Sequence, residues 1–143
     1  MGKLFFPAVL ACFLVLEGDP AIAVSPSEGE RLFVEGTSFF RAPGAERDAS
    51  KGLAKLQTSA ALGYRFAPYG LCIALSAEAE IINLVESYAW CRVAAQRNNK
   101  FSERSDSRAL EVLGRITVTQ GMEAVAAAKS KATAYEAAFK DEP

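Results

Sequence analysis

Two stretches of the chain repeat one another at a constant offset, and that offset limits the folds open to it. Residues 51–63, KGLAKLQTSAALG, align without a gap on residues 86–98, ESYAWCRVAAQRN, 35 positions later. Ala54 falls on Ala89, Ala60 on Ala95 and Gly63 on Asn98, while Ser59 and Ala94 are both small. Small side chains at fixed positions let paired helices approach closely. Gly and Asn are the residues that most readily take the left-handed conformation that ends a helix. A period of 35 lies in the range of stacked two-helix units. Such a unit cannot bury its apolar face alone, so it needs neighbours, and terminal units act as caps.

The flanking sequence also reads as helix. Ser25-Pro26-Ser27-Glu28 has the form of a helix start, with Ser25 as cap, Pro26 in the first turn and Glu28 three residues on. That helix, about 26–40, carries Leu32, Phe33, Phe39 and Phe40 on its apolar side, and Gly36 weakens its middle. Ala42-Pro43-Gly44 reads as a turn. Asp48 caps a helix over about 49–62, with Ala54, Leu56 and Ala60 or Ala61 on a narrow face and Gly63 at its end. A short helix follows over about 67–77, with Leu71, and another over about 83–97, with Tyr88, Trp90 and Cys91. Residues 99–106 are polar apart from Phe101 and read as a linker. A helix over about 107–115 carries Leu110 and Leu113. Thr119 then caps a last long helix, about 120–139, with Met122, Val125, Ala128, Ala132, Tyr135 and Phe139 at helical spacings. Strand-like alternation occurs only at Ile116-Thr117-Val118.

The first 23 residues have a different character. Lys3 precedes an apolar run from Leu4 to Leu16, then Pro20 and Ala21-Ile22-Ala23. A charged start, an apolar core and a small-x-small exit make a cleavable secretory signal. The run of 13 residues is shorter than the roughly 20 that span a bilayer. Val9-Leu10-Ala11-Cys12 distantly resembles a lipidation motif, but Phe13-Leu14-Val15-Leu16 stays apolar where a lipoprotein turns polar. With cleavage after Ala23, Lys3, Glu17 and Asp19 leave, so 16 basic and 17 acidic residues become 15 and 15. A neutral chain is a poor broad electrostatic partner for nucleic acid. The sequence contains no histidine, which removes the commonest metal ligand and the usual general base near neutral pH.

The pattern Ser59-Ala60-x-x-Gly63-x-x-x-Ala67-x-x-x-Leu71-Cys72-x-x-Leu75, followed after a loop by Ala89-Trp90-x-x-x-Ala94-Ala95-x-x-Asn98, resembles Sel1-like repeats, the longer-looped relatives of tetratricopeptide repeats. It departs from them at Ser59, Cys72, Leu75 and Asn98, and residues 76–85 lack the usual loop glycines. Residues 109–113, Thr119 and 122–139 resemble the tail that follows the last such repeat in bacterial proteins, so the likeness covers about 48–139. The resemblance implies an all-α fold: a short right-handed α-solenoid of antiparallel helix pairs with a long C-terminal helix. Its parts are a signal peptide (1–23), an N-terminal capping helix and loop (24–47), the repeats (48–98) and C-terminal capping helices (99–143). Ala54, Ala60, Gly63, Ala67, Leu71, Ala89, Trp90, Ala94, Ala95 and Asn98 are the expected repeat-packing positions.

On that repeat model Cys72 and Cys91 fall on the two helices of one hairpin, with Cys72 at a close-contact position. A structural disulfide is expected in an oxidising compartment, and two buried free thiols are the alternative. A redox or metal site lacks both a CxxC and a histidine. Trp90 is expected to pack against the preceding helix. Arg41, Arg47, Lys51 and Arg65 are placed toward one end of the surface, and Glu78, Glu80 and Glu86 near the other loop.

Two functional classes follow. The first is an exported helical-repeat module that binds or scaffolds a protein partner of the envelope, in the periplasm or secreted. It has no catalysis, cofactor, metal or nucleic acid, and meets the membrane only through an uncleaved signal segment. The second is a small envelope enzyme or ligand-binding helical domain with an enclosed pocket. Arg65, Tyr69 and Glu86 are the candidate partner surface.

Overall fold

Polar side chains set three of the helix starts in the computed structural model, which describes residues 26–139. In α1 (Glu28–Arg41) the cap is Ser27, whose hydroxyl accepts from the Glu30 N–H at 3.1 Å. Pro26 therefore precedes the helix instead of joining its first turn. Ser25, expected as the cap, and residues 1–23, expected as a signal segment, lie outside the described residues. One turn of 3-10 helix, Gly44–Glu46, leads to α2 (Ala49–Ala61), which Asp48 caps by accepting from the Lys51 N–H at 2.9 Å. α3 (Ala67–Ala77) carries Pro68 in its first turn, where the missing N–H breaks no helical bond. α4 (Leu84–Gln96) is capped by Asn83, which accepts from the Glu86 N–H at 3.1 Å. α2 and α4 are both 13 residues long and are displaced by 35 residues at each end, the offset of the sequence repeat.

α5 (Ser102–Ala138) has 37 residues and would reach about 55 Å if straight. It is broken at Gly121, which has φ 83° and ψ −179°, a region open essentially to glycine alone. The Arg92 guanidinium on α4 reaches Asp106 at 2.8 Å and Glu136 at 3.2 Å. These two carboxylates are equally far from Gly121 on either side, so the arms 102–120 and 122–138 fold back beside one another. The expected linker over 99–106 and break at 116–119 are thus corrected. The first arm begins at Ser102 and runs through Ile116-Thr117-Val118, because the fully buried Ile116 is held in the core with Val112, Val125, Ala128 and Ala132.

α1 and α2 meet backbone to backbone. A Cβ on Gly36 would lie 3.0 Å from the Gly52 carbonyl oxygen, and one on Gly52 would lie 2.9 Å from that of Gly36. Gly36, expected to weaken its helix, instead lets α2 approach. α3 and α4 pass in opposite senses: the Asn83 N–H donates to the Leu75 carbonyl, and further along α4 the Ser87 hydroxyl donates to the Cys72 carbonyl. Each helix packs on the next in the chain. α1 also touches α3, and α3 touches α5. The described residues are all-α, five packed helices with no strand.

Candidate functional site

An open depression lies between α3 and the first arm of α5, where the two helices touch along a narrow seam. Tyr69 and Ile73 of α3 form one wall. Glu103, Arg104, Ser107, Arg108 and Glu111, spaced three or four apart on one helix face, form the other. The volume is about 470 Å³, and the shape is an open groove, not an enclosed chamber. Arg108 donates to both oxygens of Glu111 at 2.9 and 3.0 Å, which fixes that side of the groove.

One end of the groove is aromatic. Tyr69 stacks on Phe101 with centroids 4.4 Å apart and planes nearly parallel. Phe66 meets Phe101 edge-on at 5.3 Å, and Tyr64 meets Phe66 edge-on at 5.6 Å. Phe66 and Phe101 are also the residues at which α3 and α5 begin, and neither helix has a capping side chain. Arg65 lies over the Phe66 ring at 4.6 Å, and Lys100 lies over Phe101 at 5.1 Å. Arg65 and Tyr69 therefore belong to one corner of the molecule.

Glu86 is not part of that corner. It is half-buried and accepts from Tyr135 Oη at 2.6 Å and from the Lys131 ammonium, both on the second arm of α5. Burial and the Glu86 carboxylate push the Tyr135 phenol up to about 12. Glu78 and Glu80 do not stand apart from the basic end as expected, because both pair with Arg47. The loop after α1 and the loop after α3 meet there, a contact that spacing along the chain does not reveal.

The repeat positions divide by what covers them. Ala60, Ala67, Leu71, Ala89, Trp90 and Ala94 are buried, and Ala95 is half-buried. Ala54 is exposed whereas its equivalent Ala89 is fully buried, since both arms of α5 cover α4 and no helix among the described residues covers that side of α2. Gly63 and Asn98 are both exposed after their helices. Gly63 is left-handed at φ 77°, but Asn98 is not, and α4 ends through Arg97 in an extended conformation. Trp90 finds its ring partners on the following helix, Tyr135 at 4.9 Å and Phe139 at 4.8 Å. Cys72 and Cys91 are fully buried and joined by a disulfide, with Cα atoms 4.7 Å apart.

Sequence reasoning missed Phe66, Lys100, Arg104 and Ser107 at the groove. One signal was present: Phe101 is the lone apolar residue of a polar stretch, and it is the ring that joins α3 to α5. Among the described residues no group of three or more metal-ligating side chains converges, and no helix is long and apolar enough to cross a membrane. The chain matches no family model, no curated protein and no solved structure.

Proposed function

We propose that the protein is an exported helical-repeat module, periplasmic or secreted, that binds or scaffolds another protein of the envelope. On this reading the fold is a short right-handed α-solenoid of antiparallel pairs, of the Sel1-like type, capped by α1 at one end and by the hairpin of α5 at the other. The 35-residue displacement of α2 and α4 supports it. So does the pairing of equivalent positions: Gly52 and Ser87 each meet a backbone carbonyl of the preceding helix. The contacts of α1 with α3 and of α3 with α5 are those of stacked first helices.

The observation that carries the binding role is the open groove between α3 and α5, with Tyr69 and Ile73 on one wall and a polar face on the other. An apolar strip beside polar side chains suits a polypeptide laid across the surface. Catalysis, cofactor, metal and nucleic acid play no part in this reading. The alternative of a small enzyme or ligand-binding domain asks for an enclosed pocket with convergent polar groups. It also asks for a carboxyl group kept protonated. The carboxylates two apart in sequence, Glu78 and Glu80, instead face Arg47. A bond from its own backbone N–H and the Arg47 guanidinium hold Glu80 below the usual carboxylate range.

The test is crosslinking and affinity capture from native envelope extract with the natural protein and with Ser107→Trp, which fills the groove from an exposed position. The reading expects a specific protein captured by the first and lost with the second. The same proteins captured by both would overturn it.

A further inference from the structure

Several cations of the described residues face carboxylates. Arg31 meets Glu28 and Glu35, Arg47 meets Glu78 and Glu80, Arg92 meets Asp106 and Glu136, and Lys131 meets Glu86. Three exposed cations gathered at the aromatic end of the groove do not: Arg65, Lys100 and Arg104 have no carboxylate partner among the described residues, and of the other exposed cations Arg41 and Lys129 share this but lie on α1 and on the second arm of α5. Arg104 lines the groove itself. Lys100 lies between the Phe66 and Phe101 rings, 5.6 and 5.1 Å from their centroids, and Arg65 lies on Phe66. Tyr69 stacks on that same Phe101, so the rings that carry Arg65 and Lys100 adjoin the groove wall.

The groove's own carboxylates do not balance them. Glu111 is held by Arg108 through both oxygens. Only Glu103, at the start of α5, is left to face three cations. The chain as a whole is near neutral, with 16 basic and 17 acidic residues, so this corner is a local excess and not part of a general basic surface. Its reach is short. A stripe of three cations beside Tyr69 and Ile73 suits acidic side chains interleaved with apolar ones, whereas nucleic acid engages longer runs of phosphate contacts.

Resting on the docking role proposed above, we infer that the groove takes an acidic segment of a partner polypeptide, its carboxylates on Arg65, Lys100 and Arg104 and its apolar side chains on Tyr69 and Ile73. Complementary charge of this kind sets the choice of partner and its rate of arrival, and it weakens as salt rises.

A random peptide display library selected against the purified protein with its disulfide formed tests this. A parallel selection uses R65E/K100E/R104E, three exposed substitutions whose fold is checked by circular dichroism. The inference expects acidic-apolar peptides from the natural protein. Their synthetic versions should bind at least tenfold more weakly to the triple variant and at least tenfold more weakly when Glu is changed to Gln. Their amide shift changes should centre on Tyr69, Ile73 and Ser107. Groove-directed peptides without acidic residues would overturn the charge inference and leave the docking role standing. Enrichment of no peptide that Ser107→Trp excludes would overturn both. An oligodeoxynucleotide that displaces the acidic peptides and binds tighter than any of them would overturn the assignment to a polypeptide.

Discussion

The hydroxyl of Ser87 donates to the carbonyl oxygen of Cys72 at 2.7 Å, tying the buried face of α4 to the backbone of α3. At the equivalent position in α2, Gly52 stands against the Gly36 carbonyl of α1 with room for no side chain. The same step of the repeat is thus closed once by a hydrogen bond and once by bare contact.

The two closures respond differently to alanine. Ser87→Ala removes a buried hydrogen bond and lowers stability by about 1 kcal/mol. Gly52→Ala drives a methyl to within 2.7 Å of the Phe40 ring and 2.9 Å of the Gly36 oxygen, and overpacking of this kind costs about 1–3 kcal/mol. Urea unfolding midpoints of the two variants measure the difference, with Gly52→Ala the more damaging.

The Cys72–Cys91 bridge closes a loop of sequence separation 19. Chain entropy then assigns it about 3 kcal/mol. The double variant Cys72→Ala/Cys91→Ala should show an unfolding free energy in urea lower by that amount. Native oxidised protein, once denatured, should offer no reactive thiol from these two cysteines. Two titratable thiols would contradict the bridge.

Two glycines of α5 should respond with opposite signs. Gly121→Ala forces a side chain into a glycine-only conformation at the reversal of the helix, a strain of about 1–3 kcal/mol. A Cβ on Gly114, by contrast, would meet nothing within 4 Å, and Gly114 lies in regular exposed helix. Gly114→Ala should stabilise by up to about 1 kcal/mol. Thermal unfolding of both variants beside the natural protein gives the two signs.

Tyr135 makes stability sensitive to alkali. Its phenol is raised to about 12, first by burial and then by the Glu86 carboxylate that accepts its proton. The ordinary phenol value is about 10. A raised folded value contributes stability that is whole below pH 10 and is lost as pH rises from about 10 through 12. The absorbance difference between the natural protein and Tyr135→Phe should show this phenol ionising near pH 12, and Glu86→Gln should bring it to lower pH. Tyr64 is also raised by burial, so the control must separate the two.

Much of the helical layout was legible because its signals are local. Asp48 and Gly63 act within a turn of the backbone they control, and α2, α3 and α4 fall within about a residue of their expected bounds. The course of α5 was not legible. Its β-branched run reads as a break, yet Ile116 is held helical by core packing, while the true reversal depends on a single Gly121 inside an otherwise helical pattern. Gly36 reads as a weak point until α2 is seen pressed against it. The groove depended most on tertiary structure. Tyr69 was singled out, but its partners Phe101 and Arg104 stand more than thirty residues away, and Glu86, grouped with it from sequence, turns to Lys131 and Tyr135 instead.

The docking role itself is tested most directly by placing a photo-crosslinking amino acid at Ser107, within the groove, and in a second protein at Glu123, exposed on the second arm of α5. Irradiation in the native cell, followed by mass spectrometry of the adducts, reads the outcome. The account predicts one discrete protein adduct from position 107, absent from position 123 and suppressed by R65E/K100E/R104E. Equal adducts at both positions, or none at 107, would contradict it.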